Sequence, residues 1–258
     1  MCGRYGSWSG GAALVSYFDA EPLPLPEDVE ASWNISPGTD VRVVVERVAT
    51  DSAGDEAGNL TRQLRCARWG LLASWATQAR QAFRAFNARS ETAASKPTFR
   101  ESFRSFRAVV PADCWYEWHR PTGAGGREEG IRSRPYAVCR QDEEPLALAG
   151  LCSWWRVPSS HPPLRPGPSI HDHRGGTWML TCTILTRPAR EDLAWLHERE
   201  PVVLSRTAVD SWLDPTLHDP TQVASLLAGA RPALRWWEVG PQISSSRSRG
   251  PQLIEPVA

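Results

Sequence analysis

Apolar and polar positions along this chain change period often, and the runs are short. Residues 12–19, AALVSYFD, carry apolar side chains at helical spacing and predict a short amphipathic helix, followed by the proline-rich connection LPLPEDVE. VRVVVERV (41–48) is β-branched and reads as a strand, 49–59 as a Gly/Asp loop, and LTRQLRCARWGLL (60–72) as a second strand, so the two predict a long-looped hairpin. Phe99, Phe103 and Phe106 recur at helical spacing. Arg100, Arg104 and Arg107 share that spacing, about 100° away around the same axis, which predicts a short helix with a basic shoulder. RAVVPADCWYEW then reads as a strand broken at Pro111. PYAVCR, PLALAGLCSWW and TWMLTCTILT predict three further strands. RPAREDLAWLHERE and PTQVASLLAGA predict short helices, with Thr186 as a cap for the first and Gly229 as a stop for the second.

There is no internal repeat and no alternation of strand and helix that would build a parallel sheet. The class predicted is α+β: a single domain with a central, mainly antiparallel β-barrel-like sheet flanked by short helices. One domain over residues 1–258 is expected, with flexible loops at about 49–59, 120–134 and 157–176. The last of these is rich in Pro, Gly and His and reads as an insertion, because strands resume directly after it.

Composition narrows the function classes. The 258 residues are 41% hydrophobic and 22% charged, enough to bury a core. Twenty-nine basic and 29 acidic residues cancel, which argues against a surface coated in positive charge but leaves room for a local basic groove. Thirteen tryptophans are many for this length and suit a surface that stacks flat rings. The six cysteines form no CxxC pair, so neither a zinc site nor a disulfide framework is expected; Cys139 and Cys182 sit in apolar runs and read as buried, reduced thiols. No metal and no cofactor are expected, His161, His171 and His173 in the insertion being a weak metal set. No run approaches the ~18–20 apolar residues of a membrane span, and no signal peptide precedes Cys2, so a cytoplasmic protein is expected.

Candidate chemistry begins at MCGRYG. Removal of Met1 makes Cys2 the terminus, with an α-amine of pKa about 7.7–8.0 and a thiol of about 8.5 before any influence of the fold. A neutral amine attacks an aldehyde to give an imine, and the adjacent thiol can close on that carbon as a thiazolidine. The thiol alone could instead attack an amide or ester. In FNARSET, Asn87 and Arg89 alternate, so an extended backbone points both into one cleft; a surface cap is the plainer alternative. In CWYEWH, Glu117 lies between aromatics, where burial raises a carboxyl pKa and makes an acid/base, unless the strand turns it to water. In LHEREPVVL, His197 falls where a predicted helix ends, a place that favours imidazolium.

Read together, MCGRYG, WNISPGT, WGLLASW, FNARSET, VPADCWYEW, LTRPA, HEREPVVL and PQLIEP resemble, in order and over nearly the whole chain, the SOS-response-associated peptidase family of abasic-site processing proteins. The resemblance implies a compact α+β domain with a groove for single-stranded DNA and a covalent crosslink to abasic sites through the processed N-terminal cysteine. By position, Cys2 matches the crosslinking nucleophile and Asn87 the residue that orients it. Glu117 matches the acid/base, and His197 the histidine before the Arg-x-Pro turn. AP-lyase and self-processing peptidase activity follow as side branches. Gly3 would let the backbone approach DNA closely. Arg4 and Arg89 are candidates for phosphate contacts, with Arg104 and its helical neighbours behind them. Trp75, Trp69 and Pro37 are candidates to stack on or wedge between bases, Trp69 being as well explained by core packing. The implied partner is single-stranded DNA containing abasic sites, bound by a monomer that is nucleoid-associated when on DNA.

Three departures bear on detail. Cys114 stands where the family usually has Gly, and Glu200 where it usually has Met. ISSSRSRG lacks the asparagines usual near the C-terminus. Glu200 is expected to place a second carboxylate near His197, which would raise its pKa or redirect its proton role. Two other readings compete. A class II glutamine amidotransferase also starts Met-Cys-Gly, but this chain has no Asn-Gly dipeptide and no second domain to consume ammonia. A non-catalytic single-strand-binding module would need the aromatics and arginines but not Cys2.

Overall fold

The computed structural model describes residues 2–22, 29–50, 56–120, 133–162, 164, 166–173 and 175–257. Its strands are β1 (Tyr5–Ser7), β2 (Ser32–Ile35), β3 (Asp40–Thr50), β4 (Glu56–Trp69), β5 (Asn87–Arg89), β6 (Arg107–Ala112), β7 (Cys114–His119), β8 (Arg134–Arg140), β9 (Leu146–Arg156), β10 (Ile170–His173), β11 (Gly176–Pro188), β12 (Arg199–Pro201), β13 (Val203–Leu204) and β14 (Leu234–Glu238). The helices are α1 (Gly11–Phe18), α2 (Ser90–Ala93), α3 (Arg100–Ser105), α4 (Arg206–Leu213) and α5 (Pro220–Leu226).

The predicted hairpin forms: β3 and β4 pair antiparallel from Asp40↔Arg68 to Val48↔Leu60. It is longer than the pattern suggested, with β3 reaching Thr50 and β4 starting at Glu56, so strand replaces most of the 49–59 loop. β4 is followed by Gly70, whose φ of +131° is left-handed and where a Cβ would stand 2.9 Å from the Ala82 carbonyl oxygen. β6 joins β3 to β9, β9 pairs β11, and β11 returns to β4 through the parallel pairs Thr181↔Arg68 and Cys182↔Trp69. The order β4-β3-β6-β9-β11 is therefore a closed five-stranded barrel, the α+β barrel the sequence predicted.

Closure explains why β3 reads as a nearly unbroken valine run. Val41, Val43 and Val45 fill the barrel interior with Trp69, Val110, Leu148 and Ile184. Val44 points outward to a second layer under α1, α3, α4 and α5, with Leu14, Phe103 and Trp212. Both faces are apolar because both are covered.

A second sheet, ordered β14-β8-β7-β1-β2, lies against the barrel. Tyr5, Trp115 and Val138 face the barrel core, whereas Cys114, Tyr116 and Cys139 face a small cluster with Val239, Ile243 and Leu253 of the C-terminal segment. The chain passes between sheets at Asp113, not at the predicted break of Pro111, which stays in β6 opposite Ala147. Asp113 fixes the crossing by accepting the backbone N–H groups of Trp8 (2.5 Å) and Ser9 (2.8 Å).

Other expectations fail for physical reasons. Arg107 is not on the helical shoulder. It is buried at the start of β6 and donates to the carbonyls of Trp212 (2.7 Å), Phe103 (3.1 Å) and Arg104 (2.7 Å). The 157–176 insertion contains β10, paired with β11 from Ile170↔Met179 to His173↔Gly176, and Ser169 Oγ donates to Asp40 at 2.6 Å. Of the 120–134 loop, residues 121–132 lie outside the described residues, and Arg134 already belongs to β8. The helix predicted over 187–200 reduces to one turn at Glu191–Leu193, and Thr186 is no cap but a buried strand residue of β11. The end of the predicted helix, Arg199 and Glu200, instead belongs to β12 and pairs with Pro188 and Arg187 of β11. α4 and β14 were not foreseen.

Candidate functional site

β1 carries the amino terminus to the seam between the two sheets. Tyr5 pairs with Ile35 on one side and Trp115 on the other, and the Tyr116 N–H donates to the Arg4 carbonyl at 2.9 Å. The residues before Tyr5 thus run along β7 towards Glu117. Cys2 is fully buried there. Asn87 reaches it from the barrel side: β5 pairs parallel with β11 (Ile184↔Asn87, Thr186↔Arg89), Ala88 turns into the core, and Asn87 Nδ2 donates to the Cys2 carbonyl at 2.7 Å. The other amide atom, Oδ1, is buried without a hydrogen-bond partner among the described residues.

Burial is the largest cause of the pKa shifts of Cys2, Glu117 and His197. It pushes the Cys2 thiol well up, the negative charge of Glu117 adding to it while the amino-terminal charge and the Arg4 N–H pull the other way. Burial also lifts the Glu117 carboxyl to about 7, against the amino-terminal charge. Burial lowers the His197 imidazole, and the amino-terminal charge lowers it further. The amino-terminal charge acts on Cys2, Glu117 and His197 alike. The expected imidazolium at a helix end is overturned: no helix ends there, and burial favours the neutral ring. The Arg199 N–H donates to His197 Nδ1 at 2.9 Å, which leaves the ring proton on Nε2.

Two arginine clusters hold the barrel side. Arg199 clasps Glu91 in a two-pronged pair (2.6 and 2.9 Å) and donates to the Thr186 carbonyl at 2.6 Å. The paired guanidinium holds Glu91 down to about 2. Glu200, 2% exposed, accepts from Arg187 (2.9 Å) and from Arg190 Nε (3.0 Å), with Arg231 at 3.4 Å. The expectation that Glu200 acts on His197 is overturned, because its carboxylate is occupied by these arginines and His197 is lowered rather than raised.

Residues 1–246 match the family described as SOS response associated peptidase (SRAP). The chain belongs to this family. It is 28% identical over 257 residues to Abasic site processing protein YoqW of Bacillus subtilis (strain 168), covering 99% of each chain. It is 26% identical over 262 residues to Abasic site processing protein YedK of Escherichia coli (strain K12), covering all of both. A crystal structure from Bacteroides thetaiotaomicron superposes with a TM-score of 0.73 at 18% identity over 100% of both chains and shares the fold.

On this SRAP scaffold the expected DNA-facing residues divide. Trp75 is 59% exposed, and Arg89 and Arg104 are exposed, Arg89 with no partner among the described residues. Gly3 and Pro37 are half-buried. Arg4 turns inward, donating to Asn34 Oδ1 (2.7 Å) and the Ile243 carbonyl (2.9 Å), with its guanidinium 5.9 Å from the Trp118 ring centre. Trp69 is core, and its indole N–H donates to the Phe86 carbonyl at 2.8 Å. Sequence reasoning missed the roles of Glu91 and Arg199, and of Asn34, whose Nδ2 donates to the Ser245 (2.9 Å) and Ser248 (3.0 Å) carbonyls. Those backbone acceptors lie in the stretch that lacks the family's asparagines. Complementary charge in SET and HERE was the one available signal for the Glu91–Arg199 pair. Among the described residues no three His, Cys, Asp or Glu side chains are grouped to hold a metal ion, all six cysteines are buried and free, and no helix is long and apolar enough to cross a membrane.

Proposed function

We propose that this SRAP protein senses abasic sites in single-stranded DNA and traps them as a covalent crosslink through Cys2 once Met1 has been removed, shielding the lesion during repair. The observation that carries the reading is Asn87 Nδ2 on the Cys2 carbonyl at 2.7 Å, beside a Glu117 carboxyl lifted to about 7. The names of the relatives as abasic site processing proteins support it.

Hydrolysis of the Met1–Cys2 bond frees an α-amine, for which Asn87 Oδ1 is a ready acceptor. The amine attacks the aldehyde carbon of the open abasic sugar and gives a carbinolamine. Glu117 in its acid form, assisted by His197 Nε2–H, delivers the proton with which the hydroxyl leaves as water, and a protonated imine forms. The thiol is protonated near neutral pH, so it closes the ring only as a base takes its proton. Glu117, now a carboxylate, receives it, sulfur bonds to the imine carbon, and the nitrogen ends as the ring amine of a thiazolidine. A carboxyl that titrates near 7 serves both steps. Before ring closure the imine also permits β-elimination of the 3′ phosphate, an AP-lyase branch that closure suppresses. Exposed Trp75, Arg89 and Arg104 suit a strand bound by stacking and a few phosphate contacts; zero net charge implies a shallow salt dependence. A cytoplasmic monomer fits this role.

The test is a denaturing gel after incubation with a single strand bearing one abasic site. Crosslinking is expected for the wild type and none for Cys2→Ala. An unchanged crosslink in Cys2→Ala overturns the nucleophile, and glutamine-dependent ammonia release would point to the amidotransferase instead.

A further inference from the structure

Glu117 pairs with Tyr136 across β7 and β8, and His119 pairs with Arg134. Directly opposed residues, and residues two apart on one strand, share a face. Glu117, His119, Arg134 and Tyr136 therefore line one surface that runs outward from the seam. Trp195, two residues before His197, lies over its outer end. The Trp195 ring is 5.1 Å from His119 at 59° and 5.1 Å from Tyr136 at 88°. Its carbonyl accepts from His119 Nδ1 at 2.9 Å, and its indole N–H donates to the Asp192 carbonyl at 2.9 Å. Tyr136 is itself held, donating through its hydroxyl to Glu238 at 3.2 Å, and Arg134 reaches the same carboxylate at 3.2 Å.

These contacts fix the indole on two sides, yet 43% of the residue stays open to solvent. Among the described residues Trp75 and Trp195 are the exposed aromatic rings. An immobilised, solvent-facing ring is a stacking platform, because its conformational entropy is already lost before a ligand arrives. The lesion itself supplies a matching ligand. An abasic nucleotide has no base, so the nucleotide beside it has one ring face with no stacking neighbour.

We infer that the Trp195–His119–Tyr136 shelf is a stacking subsite for the nucleobase adjacent to the abasic sugar. The inference rests on the trapping reading above and extends it: the sugar occupies the seam at Cys2 and Glu117, and its neighbour's exposed face covers the indole. Base stacking on an aromatic side chain is sequence-tolerant, so this subsite recognises the gap beside the base rather than the base's identity.

The experiment uses single strands with a tetrahydrofuran abasic analogue, which has no aldehyde and cannot be trapped. Affinity is read by fluorescence anisotropy, with the neighbouring base either present or replaced by a second analogue, on the 5′ or the 3′ side. Trp195→Ala is expected to weaken binding by about 5- to 100-fold when both neighbours are present, and Trp195→Phe to stay within about threefold of wild type. On one side, removing the base should cost the wild type a similar factor and cost Trp195→Ala little more. The inference is overturned if Trp195→Ala binds within about twofold of wild type, or if its loss is the same whether or not either neighbouring base is present. This coupling is read whether or not the crosslink forms, and the Cys2 gel experiment alone judges the trap.

Discussion

The two walls of the seam hold glutamates in opposite ways. On the β7–β8 wall, Glu117 is 4% exposed among rings, and burial lifts its carboxyl to about 7. On the β5–β11–β12 wall, Arg199 holds Glu91 down to about 2, and Glu200 is enclosed by Arg187, Arg190 and Arg231. The first wall keeps a proton available near neutral pH. The second uses its carboxylates as fasteners: Glu91, just after β5, holds Arg199 beside His197, and Glu200 ties β12 to Arg187 of β11. Glu117 and Glu200 are buried almost equally, but the charge that acts on Glu117 is the amino terminus, whereas three guanidinium groups surround Glu200.

Removing the Glu117 carboxylate should have the largest effect. Glu117→Gln is expected to slow crosslinking by about 100-fold or more while DNA affinity stays within about twofold. Equal loss of rate and affinity would make Glu117 structural and erase the contrast. The same variant tests the pKa. Because the folded carboxyl keeps its proton to about 7 and the unfolded one releases it near 4.5, wild-type stability falls as pH rises through that window. The lift corresponds to about 3 kcal/mol. Urea melts should show Glu117→Gln gaining on the wild type from pH 4.5 to 7 and holding that gain above.

Glu200 should matter next, through stability alone. Taking away the carboxylate leaves three arginines facing one another, one of them buried and one half-buried, a loss of about 3–5 kcal/mol. That is a melting temperature lower by roughly 10 °C. The family's usual Met at this position does not escape the penalty in this chain, because Arg187, Arg190 and Arg231 remain. Glu200→Met melting within about 2 °C of wild type would break the fastener picture.

Local pattern revealed what local physics controls. The β3–β4 hairpin was legible in its valines and the core-facing stripe of α3 in Phe99 and Phe103, because each buries its own period. Cys2, Asn87 and Glu117 were legible because each sits in a short motif of unusual chemistry, and resemblance supplied their order. The clasp of Arg199 on Glu91 spans 108 residues and has no period to read. The same holds for Arg4, whose position beside Cys2 suggested a phosphate contact while Asn34 and Ile243 draw it inward. The segment before His197 was misread because Leu193 and Leu196 have helical spacing and are both buried, yet the turn that carries them is only Glu191–Leu193 before the chain enters β12 against β11.

Glu91 gives the mildest and most pH-specific test of the fastening wall. Its carboxyl is depressed, so the sign is the reverse of Glu117: the folded state releases the proton more readily than the unfolded one. The stabilisation is present above the ordinary carboxyl value of 4.5 and is lost as pH falls towards about 2. The Glu91 side chain is 44% exposed, so solvent screens the pair and the effect on stability is small. Glu91→Gln should therefore melt slightly below wild type at pH 7, with the gap closing between pH 5 and pH 3. Added salt should narrow it at pH 7 as well. Because the Arg199 N–H rests on His197 Nδ1, the same variant should move the His197 ring signals in an NMR titration while leaving Glu117 at about 7. A gap that stays constant from pH 7 to pH 3 would mean that Glu91 contributes by packing rather than by charge, and the two walls would no longer differ in kind.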